Sequence, residues 1–128
     1  MNKKSDILQC DICGTLVSVL NPGRSDIFCC GEKMIFLKPQ YADPASDKHV
    51  PYPEENNGTI KVKTGKHPHP MVKAHYTGFI EAHSDKYIFR QHLKPGDKPE
   101  VVFCTSEKIK KYRSYCLIHG VFEYIPTS

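Results

Sequence analysis

Four cysteines in the first thirty residues, Cys10-x2-Cys13-x15-Cys29-Cys30, constrain this chain more than any other feature. A segment of under about forty residues cannot bury enough apolar surface to hold itself together without a metal or disulfides. The thiols therefore decide how residues 1–37 fold. Cys-x-x-Cys sets two sulfurs on a tight turn, close enough to share a tetrahedral ion. Gly14 and Gly31 follow the two pairs, and glycine there lets backbone amides approach the sulfurs. Neighbouring residues tend to point their side chains apart, so Cys29 and Cys30 can serve one ion only if the backbone bends and the tetrahedron distorts. On spacing alone, a structural zinc ribbon and a mononuclear iron site both fit.

The rest of the chain holds a second donor set of different chemistry. Cys116-Leu117-Ile118-His119 pairs a thiolate with an imidazole at chelate spacing; His49, His69 and His75 lie upstream. Pro68 and Pro70 fix φ on either side of His69 and stiffen its loop. Four imidazoles and one thiolate are too many for an ordinary zinc tetrahedron. They suit a transition metal that takes four nitrogens in a plane and one sulfur on the axis, leaving the opposite position open for a small ligand. Two metal sites of different chemistry in 128 residues point to redox work. His67, His83 and His92 fit no ligand pattern, and His83 and His92 are expected to face solvent. Cys104, in Val101-Val102-Phe103-Cys104, is expected to be a small core residue.

Ten prolines and eight glycines work against long helices and favour short strands with many turns. Residues 38–58 read as loop, ending in the hairpin signal Asn57-Gly58 before the alternating run Thr59–Lys63. Further strands are expected over Tyr76–Ala82, Lys86–Leu93, Glu100–Thr105 and Arg113–Ile125, with a turn at Lys94-Pro95-Gly96-Asp97. Ser106–Tyr112 reads as a helical turn. Short strands at regular spacing predict an all-β chain, an antiparallel sandwich or barrel over residues 38–128 behind the cysteine module.

The net charge of +4 would draw in a small anion or an acidic partner. The lysines are scattered and form no nucleic-acid motif. No apolar run follows the N-terminal lysines and none reaches transmembrane length. The expectation is a cytoplasmic protein that binds neither nucleic acid nor membrane. Disulfides are rare in that compartment, so the cysteines read as metal thiolates.

Both clusters together resemble desulfoferrodoxin, the two-domain form of superoxide reductase. Cys10-x2-Cys13 with Cys29-Cys30 is similar to its desulforedoxin-like module. Lys48-His49-Val50-Pro51, Pro68-His69-Pro70-Met71 and Cys116-x2-His119-Gly120 are similar to its catalytic segments. The resemblance implies two Fe ions, one on four cysteines and one on His49, His69, His75 and His119 with axial Cys116. It implies an immunoglobulin-like sandwich, a homodimer, and one-electron reduction of superoxide to hydrogen peroxide with rubredoxin as a usual donor. Lys48 would then be the cation beside the open position. The family usually has Glu before that lysine; here it is Asp47, shorter by one methylene. Two other functions compete: a pure electron carrier, which leaves the histidines without purpose, and a zinc-stabilised binding module.

Overall fold

A computed structural model describes residues 2–43 and 47–127. It divides into two compact units, 1–38 and 39–128. All regular structure among the described residues is strand, as the turn-rich composition predicts.

In the first unit, β1 (Ile7–Gln9) lies between β2 (Leu16–Ser18) and β5 (Ile35–Phe36), both antiparallel to it. Between β2 and β5, β3 (Phe28–Cys29) and β4 (Glu32–Lys33) form a tight hairpin whose two loop residues are Cys30 and Gly31. Both loop residues have positive φ, 54° and 77°. That is the backbone of a two-residue hairpin turn, and it supplies the bend that adjacent ligands require. The apolar cluster around the thiols is Leu8, Cys10, Val19 and Met34, with Val17 and Cys29 packed against it. Two of these six residues are thiols, so the apolar core and the metal-binding residues are largely one structure.

The second unit is a sandwich. One sheet runs β10 (Ile88–His92), β9 (His75–His83), β12 (Lys111–Cys116), β13 (Gly120–Tyr124), with β8 (Met71–Val72) also on β9. The other runs β11 (Glu100–Cys104), β7 (Thr59–Thr64), β6 (Pro51–Asn56). Ile60, Val62, Val101 and Phe103 from the smaller sheet meet Ile80, Ala82 and Tyr112 from the larger, and Leu93 and Ile109 close the ends. Asn57 and Gly58, at φ 44° and 89°, make the expected hairpin turn between β6 and β7.

Four expectations are corrected. Pro51–Asn56 is a strand and not loop; it pairs only with β7, and an edge strand tolerates prolines because one side of it donates to no neighbour. Ser106–Lys110 forms no helical turn, and Lys111 and Tyr112 already belong to β12. Cys104 is exposed, because the two-residue period that buries Val101 and Phe103 turns Val102 and Cys104 to solvent. His83 is buried, with its Nε2 2.8 Å from Glu81; His92 is exposed as expected.

The candidate metal centres

Cys10 directly follows β1, and its backbone N–H bonds to Thr15 while the N–H of Gly14, at φ 82°, bonds to the Cys10 carbonyl. This tight turn carries Cys13, whose N–H points at the Cys10 sulfur, 3.4 Å away. Cys29 ends β3 and Cys30 starts its turn. The Cys13 and Cys29 sulfurs are 3.7 Å apart, those of Cys29 and Cys30 4.0 Å. Metal–sulfur bonds of about 2.3 Å make a tetrahedron with edges of about 3.8 Å, so the sulfurs already stand where one ion needs them. The thiols share their protons unevenly. The Thr15 hydroxyl, 3.1 Å from Cys13, draws that thiol down to about 6, whereas the sulfurs of Cys10 and Cys13 push Cys29 up to about 12. Cys30 is raised by the same neighbours. Crowded thiolates repel until a cation joins them.

The second set gathers at one end of the sandwich. His49 lies two residues before β6, His69 lies in the loop after β7, His75 begins β9, Cys116 ends β12, and His119 closes the turn into β13. The four rings follow one another in a cycle. Centroid distances along it are 4.6 Å (His49–His69), 4.8 Å (His69–His75), 5.1 Å (His75–His119) and 4.7 Å (His119–His49), with neighbouring rings edge to face. Across it His49 and His75 are 6.3 Å apart and nearly parallel, at 26°. Those are the proportions of a square. Ligand atoms of His49, His75, Cys116 and His119 all lie within 4.8 Å of one another. Metal–nitrogen bonds of about 2.1 Å put opposite donors about 4.2 Å apart. His69 falls outside that tightest group but completes the cycle of rings.

The nitrogens facing inward have no other use. The Nε2 atoms of His49, His69 and His75 are buried without a hydrogen-bond partner, a cost that a metal ion removes. Their Nδ1 atoms are fixed from behind in two cases: His49 by Asp43 Oδ2 at 2.6 Å, His69 by the Pro70 carbonyl at 2.7 Å. His119 presents Nδ1 instead, 3.6 Å from the Cys116 sulfur. Burial pulls the His69 imidazole down to about 4, against the Pro70 carbonyl. Burial lowers His75 too, helped by His119, His49 and Lys48. Both rings are therefore neutral donors at neutral pH. Burial pushes the Cys116 thiol up, opposed by the amides of His119 and Ile118 that point at its sulfur. Such N–H···S contacts tune the potential of an iron–thiolate bond.

Three features of the fold aim these donors. A register shift in the β12–β9 ladder at Tyr115/Cys116 passes over Gly78 and re-aims Cys116. The Ser114 hydroxyl donates to the His49 carbonyl at 2.7 Å, and Phe122 stacks on the His49 ring at 4.6 Å. Gln40 Nε2 donates to the His119 carbonyl at 2.7 Å. Lys48 and Asp47 stand on the same loop as His49. Asp47 has φ 53° and its carbonyl accepts the His67 N–H at 3.3 Å. Gly65 lies directly beneath: a Cβ there would come within 2.3 Å of the Asp47 carbonyl oxygen and 2.5 Å of Lys48 Cα. Asp43 Oδ2 also accepts the Lys48 N–H at 2.9 Å, so one carboxylate fixes both a ring and the loop beside it. Asp43, Gly65, Ser114 and Gln40 were missed from sequence. Only the lone glycine just after a strand carried a signal.

Fold and donor sets together describe a non-haem metalloprotein with two centres of different ligand chemistry. Residues 2–37 match the desulfoferrodoxin N-terminal domain and residues 41–125 the desulfoferrodoxin domain. Desulfoferrodoxin of Syntrophotalea carbinolica is 40% identical over 122 residues, 95% of this chain and 97% of that one. The chain belongs to the desulfoferrodoxin family. The superoxide reductase from Treponema pallidum shares the fold, with a TM-score of 0.79 over 93% of this chain and 96% of that one at 24% identity. A superoxide reductase in its oxidised state matches at 28% identity and a TM-score of 0.51, covering 66% of this chain and 91% of that one. The cofactors are two iron ions, one on the four thiolates and one on the histidine–cysteine set.

Proposed function

We propose that this protein is a superoxide reductase: superoxide accepts one electron and two protons and leaves as hydrogen peroxide, with no oxygen released. The observation that carries the reading is the closed cycle of four imidazoles with a buried thiolate beside it. Iron held there supplies a one-electron couple, and the thiolate donates electron density to it. In this reading His49, His69, His75 and His119 are the nitrogen ligands and Cys116 the sulfur ligand, and Cys10, Cys13, Cys29 and Cys30 hold the second iron. Lys48 draws the anion to the open side and orders water for its protonation. Asp47, one methylene shorter than the family's usual glutamate, closes that side weakly at most. The protein works in the cytoplasm as a homodimer, with an electron-transport protein such as rubredoxin as donor. Among the described residues no helix is long and apolar enough to cross a membrane.

The test is a pulse of superoxide delivered to the reduced, iron-loaded protein. Peroxide should appear one for one with superoxide consumed, with donor oxidised in step. Oxygen evolved at half the superoxide consumed would mean dismutation and would overturn the proposal.

A further inference from the structure

Strand β7 is bracketed by two glycines in the left-handed region, Gly58 before it at φ 89° and Gly65 after it at φ 78°. Their surroundings differ. A Cβ on Gly58 would meet nothing within 4 Å. One on Gly65 would lie 2.5 Å from Lys48 Cα and 2.6 Å from the Lys48 carbonyl carbon, besides striking the Asp47 carbonyl oxygen. The backbone under Lys48 therefore has room for a hydrogen and for nothing larger.

Gly65 is not free to give way. Its N–H donates to the Val50 carbonyl at 2.8 Å. Thr64 before it is buried, and its N–H and hydroxyl both donate to the Pro99 carbonyl, at 3.1 and 3.2 Å. His49 is equally fixed: Asp43 holds its ring, Ser114 holds its carbonyl and Phe122 stacks on it. Lys48 lies between these two anchored points. Its side chain is half-buried and makes no ion pair among the described residues, yet its charge reaches the His75 ring. With no carboxylate to hold the amine, the backbone beneath decides where it stands.

We propose that Gly65 is a positioning residue for Lys48: its missing side chain lets the Asp47–Lys48 backbone settle on the end of β7, and so sets the Lys48 ammonium at the open side of the histidine cycle, where an incoming anion meets it. A Cβ at position 65 would lift that backbone by about an ångström, because close-packed neighbours pass such a shift on. A misplacement of that size beside a reacting centre can cost about a hundredfold in rate. The use of Lys48 rests on the superoxide reductase reading; its position does not.

The test is a double-mutant cycle on the oxidised, iron-loaded protein. Its readout is the affinity for azide, a small anion that binds an open iron position, followed in the visible spectrum. Gly65→Ala and Lys48→Ala should each weaken azide about threefold or more, and the pair together no more than Lys48→Ala alone, since the glycine acts through the lysine. Gly58→Ala places alanine at the same sign of φ with nothing above it, and should stay within about 1.5-fold. Unchanged affinity in Gly65→Ala, or effects that add in the pair, would overturn the proposal. The spectrum without azide should match the unmodified protein; a displaced band in Gly65→Ala would mean that the glycine serves the ligand His49, and would overturn it as well. Denaturant midpoints of Gly65→Ala and Gly58→Ala should fall together, since both bear alanine at positive φ. Failure of Gly65→Ala to fold where Gly58→Ala folds would put the strain on the strand and not on the loop, again against the proposal. Pulsed superoxide is followed on the reduced protein alongside. No consumption by the unmodified protein would sink the superoxide reading, while the azide cycle would still decide the role of Gly65.

Discussion

Asp43 shows how one residue can hold a candidate metal ligand from behind. Its carboxylate oxygen accepts from His49 Nδ1 and from the Lys48 N–H, and the Asp43 and His49 side chains are only 10% and 8% exposed. The first bond fixes the ring so that Nε2 faces inward, and makes the ring a better donor. The second ties the lysine's loop to the same anchor. Asp43→Ala should cut iron retention about 10- to 100-fold, the usual cost of losing such a support. The check is iron loss to a competing chelator, followed by the visible band of the oxidised site. Asp43→Asn should fall between the two, since it keeps an acceptor but not the charge. Iron retention unchanged in Asp43→Ala would show the carboxylate to be incidental. No sequence pattern exposes this residue, because it sits in an irregular stretch six positions before His49 and chain spacing there says nothing of contact.

At the scale of elements, legibility followed the strength of local chemistry. Asn57-Gly58 and the alternation after it were readable because a two-residue turn with positive φ admits few other residues. The candidate donors were readable as chemical types, the four N-terminal cysteines and the Cys116–His119 pair by their spacing as well. The edge strand Pro51–Asn56 was not, because proline argues against strands unless the missing neighbour is known. Nor was the ion cluster on the outer face of the larger sheet, which depends on three strands in register. Glu81 faces Arg113 on β12 and Arg90 on β10, is completely buried, and also meets His83. Burial pushes its carboxyl up, but hydrogen bonds from His83 and Arg113 and the Arg113 charge outweigh it and hold it down at about 2. A carboxyl lowered in the fold lends stability above its ordinary pKa and loses it as pH falls through the folded value. The window is about pH 4.5 to 2 and the contribution of order 3 kcal/mol. Denaturant unfolding should therefore find Glu81→Gln less stable than the unmodified protein at pH 7, with the gap closing as pH falls through that window. A gap independent of pH would mean the cluster stabilises by packing and not by charge.

For the whole molecule, the two units should depend on metal to different degrees. The sandwich closes an apolar core from two sheets, with Ile60, Val62, Ile80, Ala82, Val101, Phe103 and Tyr112 all buried and no metal donor among them. The module's apolar cluster counts Cys10 among its four buried members and Cys29 among its borders. Removing iron from the sandwich leaves three buried imidazole nitrogens unpartnered, a loss of a few kcal/mol set against an independent core. Removing it from the module takes away the one crosslink between the Cys10–Cys13 turn and the Cys29–Cys30 hairpin. Structural tetrahedral sites contribute on the order of 10 kcal/mol to folding, more than so small a core can replace. Iron-free protein should therefore keep a cooperatively folded sandwich and lose the module. Limited proteolysis should cut within residues 1–38 and spare 51–124. Cys13→Ser should give the same pattern while the histidine–cysteine centre still binds iron. If the iron-free module stayed as protected as the sandwich, its fold would rest on packing, and the cysteines would serve electron transfer alone.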